Sequence, residues 1–310
     1  ILPAPSVISP AINIRELCLL TLSLERKQLL SGLLLSLVTV FFSSTVAAVG
    51  KHVSQEVHVS AIVLVQYGIS FLFALPAVLR AGRSGVTTSR PGLHIVRGVS
   101  GCACFYLYYI ALSKISLVEA TLLRSSAPLM VPLVIYLWFS ERLRKETWPP
   151  LVVGFVGVVL VLKPGFTGLS LWHLLALLSG LGLAVSMVST RVLAQHEPQN
   201  RILFYYFSIS LLVSLPFFIW NYQPIPLSAW PGLLYMGVAI YLSFVMYTLA
   251  YRYVSAAALA PISYFGVVFS GLLDWLIWDH IPDVLTLFGI AFVVSGGVLV
   301  LRHKATPAPA

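Results

Sequence analysis

The chain has 310 residues, of which 59% are hydrophobic and only 9% charged, with a formal net charge of +9. Soluble domains carry roughly 25% charged residues, so this chain cannot cover a globular surface with water-compatible side chains, and its solvent is lipid. The positive balance marks membrane orientation rather than nucleic-acid binding, and three cysteines (Cys18, Cys102 and Cys104) exclude a disulfide framework.

Residues 1–28 read as an N-terminal tail: they contain Pro3, Pro5 and Pro10, and the apolar run from Leu17 to Leu24 is too short to span. The segment lacks the basic start and cleavage site of a signal peptide. Ten apolar windows follow: Leu29–Gly50, Val59–Leu79, Leu93–Leu112, Val118–Phe139, Trp148–Leu162, Leu171–Thr190, Ile202–Trp220, Trp230–Tyr251, Ala256–Trp278 and Pro282–Leu301. Nothing between them is long enough for a soluble enzymatic or nucleotide-binding module. Residues 303–310 form a C-terminal tail.

With ten spans, the loops fall on two sides. The N-terminal side collects Arg15, Arg26, Lys27, Arg80, Arg83, Arg90, Arg97, Arg142, Arg144, Lys145, Arg191, Arg201, Arg252, Arg302 and Lys304. The other side holds Lys51, Lys114 and Lys163. The positive-inside rule then places both termini in the cytoplasm, in the inner membrane of the cell.

A gapless shift of 139 residues brings Tyr108 onto Tyr247, Ala111 onto Ala250, Ser116 onto Ser255, Gly157 onto Gly296, Val159 onto Val298 and Lys163 onto Arg302. Each half holds five windows, an odd number, so the halves lie in opposite orientations. The expected fold is an all-α membrane protein of ten transmembrane helices in two inverted five-helix repeats, residues 29–165 and 166–302. Inverted repeats are a mark of secondary transporters, in which the halves exchange conformations around a central site.

Arg90–Gly165 carries a YxxAL run continuing into Ser116 and Glu119–Ala120, an Ala127–Pro128 pair, Glu141–Arg142 after the fourth window, and a Gly-rich run ending in Lys163–Pro164–Gly165. This stretch resembles the first half of an EamA domain of the drug/metabolite transporter superfamily. Tyr247–Arg302 resembles the same pattern more loosely, with Asp279–His280 where the family places Gly-Glu. The resemblance covers roughly residues 29–302. It implies ten spans, alternating access without ATP hydrolysis, and commonly export of a metabolite.

Arg124 is the candidate binding residue of most weight. It lies about seven residues into the fourth window, roughly 10 Å below the surface at 1.5 Å per residue. A charge at such depth is a functional hypothesis by default, and a guanidinium there suits a carboxylate held through two bonds. Snorkelling outward or pairing with Glu119 are the structural alternatives. Tyr106, Tyr109, Tyr247 and Tyr264 lie within windows and need partners for their hydroxyls, which makes them candidate path-lining residues. Ser263, the repeat mate of Arg124, joins them. Tyr205, Tyr206 and Tyr251, near window ends, read as interface anchors.

Glu119 and Asp274 are candidate proton-coupling carboxylates. Pro128, Pro132 and Pro261 are candidate hinges, because each breaks helical hydrogen bonding. Gly32, Gly154, Gly157, Gly180, Gly296 and Gly297 suit close helix packing. There is no P-loop sequence, and the seven histidines lack metal-ligand spacing, so no cofactor or metal is expected and the chain is not read as an enzyme.

The expected function is a secondary transporter, an exporter, of a small polar carboxylate-bearing metabolite derived from an amino acid. An opine-type metallophore is the narrowest guess. The expected partners are that solute and the lipid bilayer, with protons as a candidate coupling ion and a homodimer as a candidate assembly. The rivals are an intramembrane enzyme and a structural membrane subunit.

Overall fold

The structure, a computed structural model, describes residues 14–139, 148–162, 170–253 and 265–305. Among these residues every regular element is helical: α1 (Ile14–Val53), α2 (Val59–Ala81), a single turn α3 (Arg83–Val86), α4 (Pro91–Leu112), α5 (Leu117–Arg124), α6 (Ala127–Phe139), α7 (Trp148–Leu162), α8 (Leu171–Ala194), α9 (Gln199–Trp220), α10 (Trp230–Tyr253), α11 (Phe265–Trp278) and α12 (Val284–Ala305). Helices are what an apolar chain must form in lipid, where no water satisfies a free N–H or C=O. Among the described residues, seven segments are long and apolar enough to cross a membrane: Leu30–Val53, Val59–Ala81, Pro91–Leu112, Leu117–Trp138, Leu171–Ala194, Gln199–Trp220 and Leu227–Tyr247. Phe265–Trp278 and Val284–Gly296 are shorter apolar helices. Part of the N-terminal tail is helical, since α1 begins at Ile14.

The surface is inverted relative to a soluble protein. Leu72, Leu79, Leu137, Leu212, Ile219 and Leu276 are exposed, while Ser60, Gln66, Ser70, Ser179, Ser210 and Asp274 are buried. Polar groups hide where helices meet, and aliphatic side chains face outward, as a lipid environment requires.

The packing pattern repeats with the sequence. Under the 139-residue shift, α1 corresponds to α8, α2 to α9, α4 to α10, α6 to α11 and α7 to α12, while the counterpart of α5, residues 256–263, lies outside the described residues. α1 packs on α10 just as α8 packs on α4, and α2 on α10 just as α9 on α4. Two pairs of mates also meet each other, α2 with α9 and α7 with α12, and α5 packs on α11. One contact recurs in both halves, although its serines and isoleucines are offset by one residue from that shift. Ser70 Oγ donates to the carbonyl of Gly237 at 3.0 Å, and Ser210 Oγ to that of Gly98 at 3.2 Å. Gly98 and Gly237 are repeat mates, and both are obliged to be small. A Cβ on Gly98 would lie 2.5 Å from Ile209, and one on Gly237 2.5 Å from Ile69. The two copies of this contact fix how each half's second helix meets the other half's third.

α5 and α6 form one span broken at Ser125–Ser126. Pro128 lacks the N–H that would bond the Arg124 carbonyl, so the helix stops there. Ser126 Oγ satisfies the Leu123 carbonyl at 2.6 Å. The carbonyls of Leu123 and Arg124 face Gly180 of α8, at 3.0 and 3.1 Å from where a Cβ would stand. Pro132 lies inside α6 without ending it. Pro261, Ser263 and Tyr264 fall outside the described residues. α11 ends at Asp279, whose φ of 54° is the left-handed cap that glycine favours.

Candidate functional site

α4 starts with Pro91 in its first turn, where a missing N–H costs nothing. That start places Arg97 two turns into the span. It corrects the sequence reading, which counted Arg97 with the loop charges. Arg97 is 5% exposed. Its guanidinium lies over the Tyr206 ring at 4.7 Å and donates through Nη1 to the Thr190 hydroxyl. Tyr247 stands close enough to act on it electrostatically. Its Nε is buried with no hydrogen-bond partner.

One to three turns further along α4 come Cys104, Phe105, Tyr108 and Tyr109. Arg124, at the end of α5, lays its guanidinium over both Phe105 and Tyr108, at 4.6 Å from each ring centre. Desolvated stacking of this kind contributes about 2 kcal/mol. Cys104 and Tyr109 lie in its reach. Its Nε is likewise buried and unpartnered. Arg124 therefore does not snorkel, and no ion pair joins it to Glu119 among the described contacts.

Between the two arginines sits a pair that the sequence reading missed. The Tyr67 and Tyr206 hydroxyls are 3.1 Å apart, and Tyr67 also donates to the Gly101 carbonyl at 3.3 Å. These tyrosines are repeat mates, 139 residues apart, so their hydroxyls meet where the two halves meet. Tyr206 is 2% exposed. Its reading as an interface anchor is corrected, because it lies on the face of α9 turned toward Tyr67 of α2, inside the helix packing. Tyr205 stays near the helix end, stacked on His94 at 4.4 Å and donating to the Val86 carbonyl at 2.6 Å.

Of the predicted tyrosines, Tyr109 lies in this centre and donates to Gln66 Oε1 at 2.5 Å, while Gln66 Nε2 has no partner. Tyr106 instead packs on Phe217, with ring centres 5.4 Å apart, and its buried hydroxyl is unpartnered. Tyr108 bonds the Thr121 hydroxyl at 2.7 Å.

The predicted carboxylates lie toward one end. Glu119 completes a capping box at the start of α5, accepting from the Ser116 hydroxyl at 2.8 Å. Asp274 is fully buried and bonds Lys51 Nζ at 3.2 Å and the backbone N–H of Val118 at 3.2 Å, with His280 at 3.6 Å. Lys51 also lies over Trp278 at 4.6 Å. One carboxylate thus ties α1, α5 and α11 together.

At the opposite end Glu197 accepts from Thr88 at 2.5 Å and from Arg201 at 2.9 Å, with His94 at 3.5 Å. Burial pushes the Glu197 carboxyl up, but the bonds from Thr88 and Arg201 and the charge of Arg201 outweigh it and hold the group below the ordinary carboxylate range. No cluster of metal-ligating side chains occurs among the described residues. The centre offers two guanidiniums, a line of hydroxyls and aromatic faces, which is equipment for binding an anion rather than for bond chemistry.

The model of the EamA-like transporter family matches residues 30–163 and 170–302. A pseudopaline exporter of Pseudomonas aeruginosa is 31% identical over 279 residues, covering 88% of this chain and 97% of the relative. An S-adenosylmethionine uptake transporter of Rickettsia bellii is 27% identical over 272 residues, covering 87% and 92%. A riboflavin transporter of Rhizobium johnstonii is 26% identical over 245 residues, covering 77% and 80%. One solved crystal structure, 20% identical, shares the fold with a TM-score of 0.61, over 89% of this chain and 99% of that one.

Proposed function

The chain belongs to the EamA-like transporter family, and from that premise we propose that it is a secondary active exporter of a small polar metabolite bearing a carboxylate. It is a multi-pass membrane transporter and not an enzyme. We further read it as ten spans in two inverted repeats with both termini in the cytoplasm of the inner membrane. Ten apolar windows, the lopsided Lys and Arg count and the exchange-symmetric packing support that reading.

The observation that carries the substrate class is Arg124. A guanidinium is stacked between Phe105 and Tyr108 within a span, and its Nε–H is unsatisfied. Leaving a buried donor unmade costs about 1–3 kcal/mol, and more for a charged group. A carboxylate removes that cost while it is bound. An amino-acid-derived solute, most narrowly an opine-type metallophore, provides such a group. Tyr109 and Tyr247 line the path in this reading. The exporter among the relatives supports the outward direction.

Asp274 is the carboxylate that best suits proton coupling. Its protonation would release Lys51 and the first turn of α5, the helix that carries Arg124. Glu119 sits in the same turn, and the break before Pro128 gives α5 a joint about which to move. In alternating access, the solute neutralises Arg124 from one side and the halves then exchange roles.

The test is accumulation of labelled amino-acid-derived carboxylates by inside-out vesicles holding wild type, Arg124→Lys or Arg124→Ala. Accumulation by wild type, weakened by Lys and absent with Ala, is expected. Equal flux through wild type and Arg124→Ala would remove Arg124 from the site, and no flux of any carboxylate would remove the substrate class.

A further inference from the structure

We propose that the transported solute carries two anionic groups, and that Arg97 holds the second while Arg124 holds the first. This inference rests on the carboxylate reading above and narrows it to dicarboxylates. Neither guanidinium has a carboxylate partner among the described residues. The other buried charges are matched: Lys51 with Asp274, and Glu197 with Arg201. Glu197, the acid on the Arg97 side, is engaged by Thr88, Arg201 and His94. Two positive charges therefore remain within the helix packing, Arg97 buried and Arg124 partly buried, each with a buried and unsatisfied Nε–H.

Packing does not demand Arg97. Gly98 and Gly237 occupy equivalent places in the two halves, so the mate of Arg97 is Met236, which is fully buried. The same position in the same fold is thus filled by an apolar side chain of similar length. A guanidinium placed there instead leaves a donor unmet, which a fold gains nothing by keeping. A bound anion supplies what is missing.

The spacing sets the kind of solute. Arg97 reaches the Tyr206 ring, whose hydroxyl meets Tyr67 at the level of Gly101. Arg124 lies at the level of Phe105 and Tyr108. Four to seven residues of α4 separate these levels, roughly 6–10 Å at 1.5 Å per residue. That distance exceeds the span of one carboxylate and suits two carboxylates at the ends of a short chain. The Tyr67 and Tyr206 hydroxyls lie between them, facing the polar middle of such a molecule.

Binding to purified protein in nanodiscs tests this with 2-aminoadipate, which carries two carboxylates, and its 6-methyl ester, which carries one. Wild type is expected to bind the diacid about 10- to 100-fold more tightly, the value of one charge-assisted pair. Arg97→Met, which copies the residue at the mated position, and Arg97→Gln should bind both compounds alike, at the wild-type affinity for the ester. A preference that survives in Arg97→Met would overturn the proposal, as would equal binding of the two compounds by wild type. Failure of both compounds to bind wild type would instead overturn the carboxylate reading itself, and this inference with it. Size-exclusion elution and thermal midpoint check the fold of each variant, and the wild-type ratio decides even if a variant does not fold.

Discussion

The ends of this molecule and its centre treat charge in opposite ways. At one end Lys51 and Asp274 neutralise each other, and at the other Glu197 is surrounded by Arg201, His94 and Thr88. In the centre Arg97 and Arg124 have aromatic rings and hydroxyls for company but no acid among the described residues. Paired charges join helices, so the ends hold parts of the protein together. Charges without a partner are open to one from outside, which is why we propose that the centre binds the solute. The teaching is that burial alone does not separate a structural charge from a functional one. What separates them is whether the protein supplies the counter-charge.

The contrast breaks most visibly if one end is unpaired. Asp274→Ala leaves Lys51 buried without a partner and should cost about 3–5 kcal/mol, read as a lower thermal midpoint in nanodiscs. Asp274→Leu combined with Lys51→Met should recover most of it, because an apolar pair of similar volume needs no counter-charge. Next in size, Arg124→Gln should slow carboxylate flux about 10- to 100-fold, the loss of one charge-assisted bond, with the protein still folded. Tyr67→Phe removes the bonds to Tyr206 and Gly101 and should cost about 1 kcal/mol, visible as a small drop in thermal midpoint and a modest loss of flux.

The smallest effect concerns pH at the Glu197 end. A carboxyl held below its ordinary range stabilises the fold above that range and loses the contribution as pH falls through its lowered value. Acidification below about pH 4 should therefore lower the midpoint of wild type more than that of Glu197→Gln. Equal acid sensitivity would show that the Thr88 and Arg201 contacts contribute nothing.

Much of this was legible in the chain itself. Charge poverty and apolar windows imply a helical membrane protein, and the 139-residue frame foretells which glycines and tyrosines are mates. Gly98 with Gly237 and Tyr67 with Tyr206 sit in that frame, and the second pair would have been found by asking which tyrosines recur in both halves. Arg124 stood out because it lies about seven residues into an apolar window.

Arg97 did not, because hydropathy blurs helix starts by a turn and an arginine near a window edge looks like a loop charge. Pro91 was the available signal, since proline favours the first helical turn. Lys51 with Asp274 was beyond reach, for the partners are 223 residues apart and periodicity does not say which helices touch. Tyr106 and Tyr109 lie three residues apart, yet one faces Phe217 and the other Gln66, because two different helices press on α4 there.

The most direct test of the difference between centre and ends is the thermal midpoint of Arg124→Leu against wild type in nanodiscs free of solute. Removing a partly buried charge that has no acid partner among the described residues should leave the midpoint unchanged or raise it, and added carboxylate solute should then stabilise wild type alone. A fall in midpoint as large as that of Asp274→Ala would mean that Arg124 is a structural charge, and would contradict the account.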